Sequence, residues 1–222
     1  MSSSHNPFSS LTFRELGQEL RKKFLSLPHE IQSFAKGDII HHQGDPVTRV
    51  GFVDKGILTC SRFTEAGSEI IPHYFYEGET FPEYLLFTNK DGYIYTLIAA
   101  KPVEIIFIQR KDLLDRSYHD LTWSRLLISY MAHRGLLESK WALCTSYPSL
   151  QSKVAYMLED IYQVPPGQWV KLEDSQSVIA QKLRVSRPVY NQELSKLEKA
   201  NILERKQGKI KILDPEALHH LT

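Results

Sequence analysis

Between Ser175 and Lys211 the chain collects nine basic side chains: Lys182, Arg184, Arg187, Lys196, Lys199, Arg205, Lys206, Lys209 and Lys211. Only Glu193, Glu198 and Glu204 oppose them, which leaves a local balance of +6 in a protein of formal charge +1. Positive charge concentrated in this way suits the neutralisation of a phosphate backbone. Other chemistries find less support. Two cysteines, Cys60 and Cys144, exclude a four-thiolate iron–sulfur cluster built from this chain alone, and CxxC zinc sites as well. Neither has a basic neighbourhood that would lower a thiol pKa for redox work. His41, His42, His73 and His133 are candidate haem or metal ligands, but His41 and His42 are adjacent, and neighbouring side chains on a strand point to opposite faces. A cupin-type metalloenzyme needs His-x-His with a converging carboxylate, a spacing absent here. No Ser/His/Asp set and no glycine-rich phosphate loop is visible, so the sequence reads as a binding protein, without catalytic residues, cofactor or metal.

The elements that must position the basic residues can be read around them. Ser175 or Ser177 can cap a short helix, Val178 to Leu183, by accepting from the free N–H groups of its first turn. Arg184-Val185 makes a tight turn. Ser186 caps a second helix that runs to about Ala200, with Pro188 in the first turn, where its missing N–H costs nothing. Tyr190, Leu194 and Leu197 mark its inward face. Ile202 to Glu204, Gly208 and Ile210 to Leu213 then read as a hairpin-like wing. Upstream, Gln151 to Tyr162 is amphipathic, Val164 to Gly167 is a turn and Trp169 to Leu172 a short strand.

A long helix is expected from about Leu121 to Leu143, with Leu127, Tyr130, Leu137, Trp141 and Cys144 on a 3-4 spaced seam broken by Arg134. The seam suits either a buried core helix or a dimer interface. Asp112 to Ser117 predicts a shorter helix. From Ser33 to about Ile108 the pattern is one of short strands: Asp38–His42, Val50–Val53, Ile57–Phe63, Glu69–Tyr76, Tyr93–Ala99 and Val103–Ile108. Turn signals separate them, Lys36-Gly37-Asp38, Lys55-Gly56 and Ala66-Gly67-Ser68 among others, as in a small antiparallel barrel or sandwich. Leu11 to Leu27 carries leucines at helical spacing. The opening residues show no secretory signal, and the longest apolar runs are far shorter than the ~20 residues needed to cross a membrane. A cytoplasmic protein is expected.

Three stretches together resemble the cAMP-receptor/FNR (CRP/FNR) family of bacterial transcription regulators. Phe34–Glu69 is similar to the family's β-roll opening, Ser129–Lys140 to its dimerisation helix, and Val178–Leu203 to its helix-turn-helix, with VSRP…L..LE..NIL the most specific part. The resemblance implies an α+β protein: an eight-stranded antiparallel β-roll sensor with its N-terminal helix (1–120), a dimerisation helix (121–145) and a winged-helix DNA-binding domain (146–222). It also implies a homodimer on a pseudo-palindromic operator of double-stranded DNA, with RNA polymerase as a possible further partner. Leu127, Tyr130, Leu137 and Trp141 would form the dimer interface. Ser186, Arg187, Val189, Asn191, Gln192, Lys196, Lys182 and Lys209 would meet DNA. Arg187 matches the family's base-reading arginine, whose fork fits guanine O6 and N7; Gln192 would suit adenine N6 and N7. A β-roll ligand-binding or scaffold protein without DNA binding is the rival reading, weakened by the +6 segment.

The sensor departs from the resemblance. Cyclic-nucleotide binders of this fold hold the phosphate with an arginine, and that position falls here on Ile94, followed by Tyr95 and Thr96. Glu83 survives from the ribose-binding pair, but Pro82 has no N–H to offer. A phosphate buried without its cation is costly, so cAMP is expected not to bind. Phe81, Glu83, Tyr84 and Tyr95, with Glu138 on the long helix, define the pocket. Its aromatic residues, Tyr93 included, suit either a hydrophobic effector or a pocket filled by its own side chains.

Overall fold

In the computed structural model the described residues are 6–8, 10–63, 69–88, 90–172 and 174–222, of which 62–63 and 69–73 are described by their backbone alone. The Ala66-Gly67-Ser68 turn and the His73 side chain lie outside them. The chain divides into two compact units, one ending at His133 and the other beginning at Arg134.

The first unit opens with α1 (Phe13–Leu25), where Thr12 and Glu15 form a reciprocal capping box and Leu16, Leu20 and Phe24 are buried. Eight antiparallel strands follow in two four-stranded sheets. One has the order β1 (His29–Phe34), β8 (Val103–Gln109), β3 (Arg49–Lys55), β6 (Thr80–Phe81). The other has the order β2 (Ile39–His41), β7 (Thr96–Ala99), β4 (Ile57–Phe63), β5 (Glu69–Tyr76). This is the β-roll expected. Sequence pattern missed most of β1, whose burial does not alternate cleanly, and all of the two-residue β6. Phe81 on β6 lies against Gly51 on β3, where a Cβ would collide with the Phe81 ring. That glycine is therefore a close-approach position.

After α2 (Arg110–His119), the long helix α3 runs from Leu121 to Ser146, and its two halves belong to different units. Trp123, Leu126, Leu127 and Tyr130 are buried in the β-roll core; Trp141 and Cys144 are buried in the second core. In the second unit α4 (Leu150–Tyr156), capped by Ser149, continues as a π-helical turn, Met157–Ile161. Then come α5 (Gln176–Lys182), α6 (Arg187–Lys199), the hairpin β9 (Leu203–Lys206) and β10 (Lys209–Ile212), and α7 (Pro215–His219). The strand expected at Trp169–Leu172 reduces to one bridge, Val170 to Ile210, beside the hairpin.

Candidate nucleic-acid interface

Two capped helices and a hairpin build the basic surface. Ser175 Oγ accepts from the Val178 N–H at the start of α5, and Ser186 Oγ accepts from the Val189 N–H, 3.5 Å away, at the start of α6. Arg184 takes a left-handed conformation in the turn between them, φ 59°. Tyr190, Leu194 and Leu197 are fully buried and hold α6 to the domain. This leaves Arg187, Val189, Gln192, Lys196 and Lys199 exposed. Val189, Gln192, Lys196 and Lys199 recur at intervals of three and four, so they line one helical face, with Arg187 at its N-terminal end. Arg187, Lys206 and Lys209 also line a groove of about 690 Å³ between α6, the start of α5 and the hairpin.

The structure redistributes several charges counted as free in the sequence. Arg205 on β9 pairs with Glu198 and donates to Ser195 Oγ (2.8 Å) and to Asn191 Oδ1 (3.3 Å), all on α6. The Arg205 hydrogen bonds hold the Glu198 carboxyl below the usual carboxylate range, against the upward push of burial. Arg205 thus braces the wing against the helix, and Asn191, expected on the exposed face, is half-buried beside it. Lys196 pairs with the buried Glu193 at 2.8 Å, yet its side chain stays 63% exposed.

Lys182 corrects the sequence reading most plainly. Its ammonium lies 2.7 Å from Asp174 Oδ2 and over the Trp141 ring, with only 18% of the side chain exposed, so it is directed into the domain. A lysine so enclosed is a poor phosphate contact. The sequence gives no sign of this, because Asp174 and Trp141 are close to Lys182 only after folding.

The dimer seam is a second correction. Leu127 and Tyr130 are 2% and 0% exposed in their own subunit, and the Tyr130 hydroxyl accepts from the Thr80 N–H at 2.9 Å. Trp141 is buried and Leu137 partly buried in the core of the second unit. The seam turns inward, as its rival reading had it. The large apolar residues that α3 leaves exposed are Leu121, Ile128, Leu136 and Leu143, spaced by seven or eight, with the exposed Ala132 and Gly135 between them.

In the β-roll, Phe81, Glu83 and Tyr95 are buried, whereas Tyr84 is 37% exposed on the 3-10 turn Glu83–Phe87. Phe75 lies with its ring centroid 5.8 Å from that of Phe81 and 6.0 Å from that of Tyr95; Tyr93 and Tyr95 are 6.2 Å apart. Burial pushes the Tyr95 phenol well above its ordinary range, with Tyr84, Glu83 and Cys60 adding to the effect. The rings thus pack on one another across the roll. Glu138 is exposed and belongs to the other unit. His41, at the end of β2, stacks on Tyr93 at 4.3 Å, while His42, just after the strand, is exposed. Among the described residues no group of three or more His, Cys, Asp or Glu is placed to hold a metal, and no helix is long and apolar enough to cross a membrane. Both cysteines are buried and unbridged, and burial pushes the Cys144 thiol up to about 11.

Comparison with known proteins agrees with this architecture. Residues 31–116 match the cyclic nucleotide-binding domain, and residues 152–221 the Crp-like helix-turn-helix domain. The global nitrogen regulator of Synechocystis sp. is 27% identical, over 93% of this chain and 92% of its own length. The global nitrogen regulator of Synechococcus elongatus is 26% identical, over 96% of each chain. Among solved structures, FixK2 from Bradyrhizobium japonicum superposes with a TM-score of 0.59 at 19% identity, covering 88% of this chain and 98% of its own.

Proposed function

From the membership of this chain in the CRP/FNR family of DNA-binding transcription regulators, we infer that it acts as a homodimer whose two α6 helices read a pseudo-palindromic duplex. The observation that carries this is the α6 face: Arg187, Val189, Gln192 and Lys196 exposed together on a helix whose opposite side is locked into the core. The width of the major groove admits such a helix, and this set of side chains offers it a bidentate donor, an apolar contact, an amide and a cation. Arg187 reads a guanine, Val189 suits a thymine methyl, and Gln192 suits an adenine. Lys209 on the wing contacts phosphate. The exposed stripe of α3 from Leu121 to Leu143 pairs with its twofold mate.

The β-roll does not use a cyclic nucleotide as effector. The arginine position of cyclic-nucleotide binders holds Ile94, and the buried Tyr95 follows it. The family likeness to nitrogen regulators brings no ligand with it, because the roll is packed with its own aromatic rings.

Two substitutions on DNA selected by the protein itself test the reading. Arg187→Ala should cost roughly 1–3 kcal/mol on the selected site and relax specificity at one position per half-site. Lys209→Ala should weaken every sequence about equally and lower the salt slope by about one unit per subunit. If Arg187→Ala weakens selected and random duplexes by the same factor, α6 is not the reading element.

A further inference from the structure

The enclosed lysine at the end of α5 is surrounded by groups that connect the helix-turn-helix to the last turns of α3. Asp174 Oδ2 accepts from Lys182 Nζ at 2.7 Å and from the Tyr162 hydroxyl at 2.6 Å. The Lys182 ammonium stands 5.2 Å from the centre of the Trp141 ring, and Tyr162 meets the same indole edge-on, with centroids 6.3 Å apart. Four side chains from three places in the chain therefore converge: Trp141 on α3, Tyr162 just after the π-helical turn, and Asp174 and Lys182 at the two ends of the α5 segment. Lys140, one residue before Trp141, donates to the Asp160 carbonyl at 2.8 Å and ties α3 to the same turn.

The chemistry of this cluster is that of a fixed joint. A lysine ammonium is strongly hydrated and flexible, so holding it at low exposure has a desolvation cost, offset here by a carboxylate and an aromatic face. Taking a cation from a domain whose surface binds a polyanion also forgoes one phosphate contact. What the arrangement provides is a directional attachment at the last turn of α5, four residues before Ser186 begins α6. A change in angle at Trp141 would carry through α5 to the reading helix.

We propose that Lys182 is a positioning residue: through Asp174 and Trp141 it fixes the angle of the helix-turn-helix on the end of α3, and so sets the separation of half-sites that the dimer accepts. This rests on the reading of the chain as a dimer on an inverted repeat. For such a dimer, half-site separation is a geometric property, set by how each reading helix is held relative to the twofold axis. Charge alone does not supply it.

The test uses full-length protein and the half-site obtained by selection from random DNA. Inverted repeats of that half-site are made with the separation changed by about one or two base pairs in each direction. Affinities of wild type, Lys182→Met, Asp174→Asn and Lys182→Arg are measured on the series, each variant being first checked for wild-type circular dichroism. Lys182→Met and Asp174→Asn are expected to bind the preferred separation about tenfold more weakly, and to lose most of the preference between separations. Their salt slopes should match wild type, because no phosphate contact has been removed. Lys182→Arg should restore the preference, since a guanidinium can keep both the carboxylate and the ring. The proposal is overturned if Lys182→Met keeps the wild-type preference, or if its salt slope falls by about one unit per subunit, the mark of a phosphate contact. A wild type with no preference between separations would sink the dimer reading, and the role of Lys182 with it. A preference in wild type that both variants retain would sink the role of Lys182 alone. Should Lys182→Met fail to fold, Asp174→Asn, which preserves side-chain volume, carries the same comparison.

Discussion

At the residue scale, the charge count of the C-terminal segment and its folded arrangement differ in an instructive way. Nine basic residues give the segment its charge and four of them, Lys182, Arg187, Lys196 and Lys209, are candidates for DNA, but Lys182, like Arg205, is occupied within the domain. Arg187 and Lys209 line the outer groove. Partners such as Asp174 for Lys182 and Glu198 for Arg205 are fixed by tertiary approach, which residue types alone do not encode. The caps were legible because they are local: Ser175 and Ser186 each accept from an N–H three residues on. His41 gives a prediction at this scale. Burial, reinforced by Arg49 and opposed by Asp45, holds its pKa down to about 4 from an ordinary 6.5. The unfolded chain therefore binds a proton that the folded one refuses, and stability present at pH 7 is lost as pH falls from about 6.5 toward 4. Because the ring is only partly buried, the loss is on the order of 1 kcal/mol after allowing for solvent screening. Thermal unfolding of wild type and His41→Gln at neutral and mildly acid pH checks it. The difference in stability between the two should shrink by that amount toward acid; a constant difference would show that His41 titrates normally in the folded state.

At the scale of elements, α3 shows why a periodic pattern can be right about a helix and wrong about its faces. The helix is apolar on two sides, so a seam chosen from spacing alone has a competitor of the same period. Leu127 and Tyr130 form the inward side, with Tyr130 stacked on Phe13 at 5.0 Å; Ile128 and Leu136 form the outward side. Substitution separates the two. Under the proposed pairing of the α3 stripes, Ile128→Asp should leave each subunit folded and shift sedimentation toward a ~26 kDa monomer, since it would place unpaired charge where the subunits meet. Leu127→Asp should instead lower the unfolding midpoint of the subunit itself, with a cost of several kcal/mol. A folded dimer of Ile128→Asp would mean that another surface pairs the subunits. The short β6 escaped sequence reading, and the strand expected at Trp169–Leu172 was over-read, for a different reason. Both depend on a few distant pairings, β6 on Gly51 and Phe52 of β3, and Val170 on Ile210 of β10.

At the scale of the whole molecule, residue pattern made legible a small antiparallel barrel or sandwich, the long helix and the capped helix pair with its hairpin, while the β-roll and the winged-helix domain as such were what the family resemblance implied. On the effector side, Ile94 and Pro82 stand where the cyclic-nucleotide sites of this family need a cation and an N–H, and on the proposed reading no cyclic nucleotide binds. Calorimetry with cAMP at millimolar concentration should therefore give no saturable heat. A micromolar constant would show that the packed rings, Phe75, Phe81 and Tyr95, move apart for a ligand. The central claim, that two copies of α6 read one duplex, is tested most directly by selecting binding sites for full-length protein from a pool of random-sequence DNA. The account predicts enrichment of an inverted repeat whose half-site centres lie about one helical turn apart, bound at least ~10³-fold more tightly than unselected duplex at physiological salt. Recovery of a single unrepeated element, or of no enriched sequence at all, would contradict it.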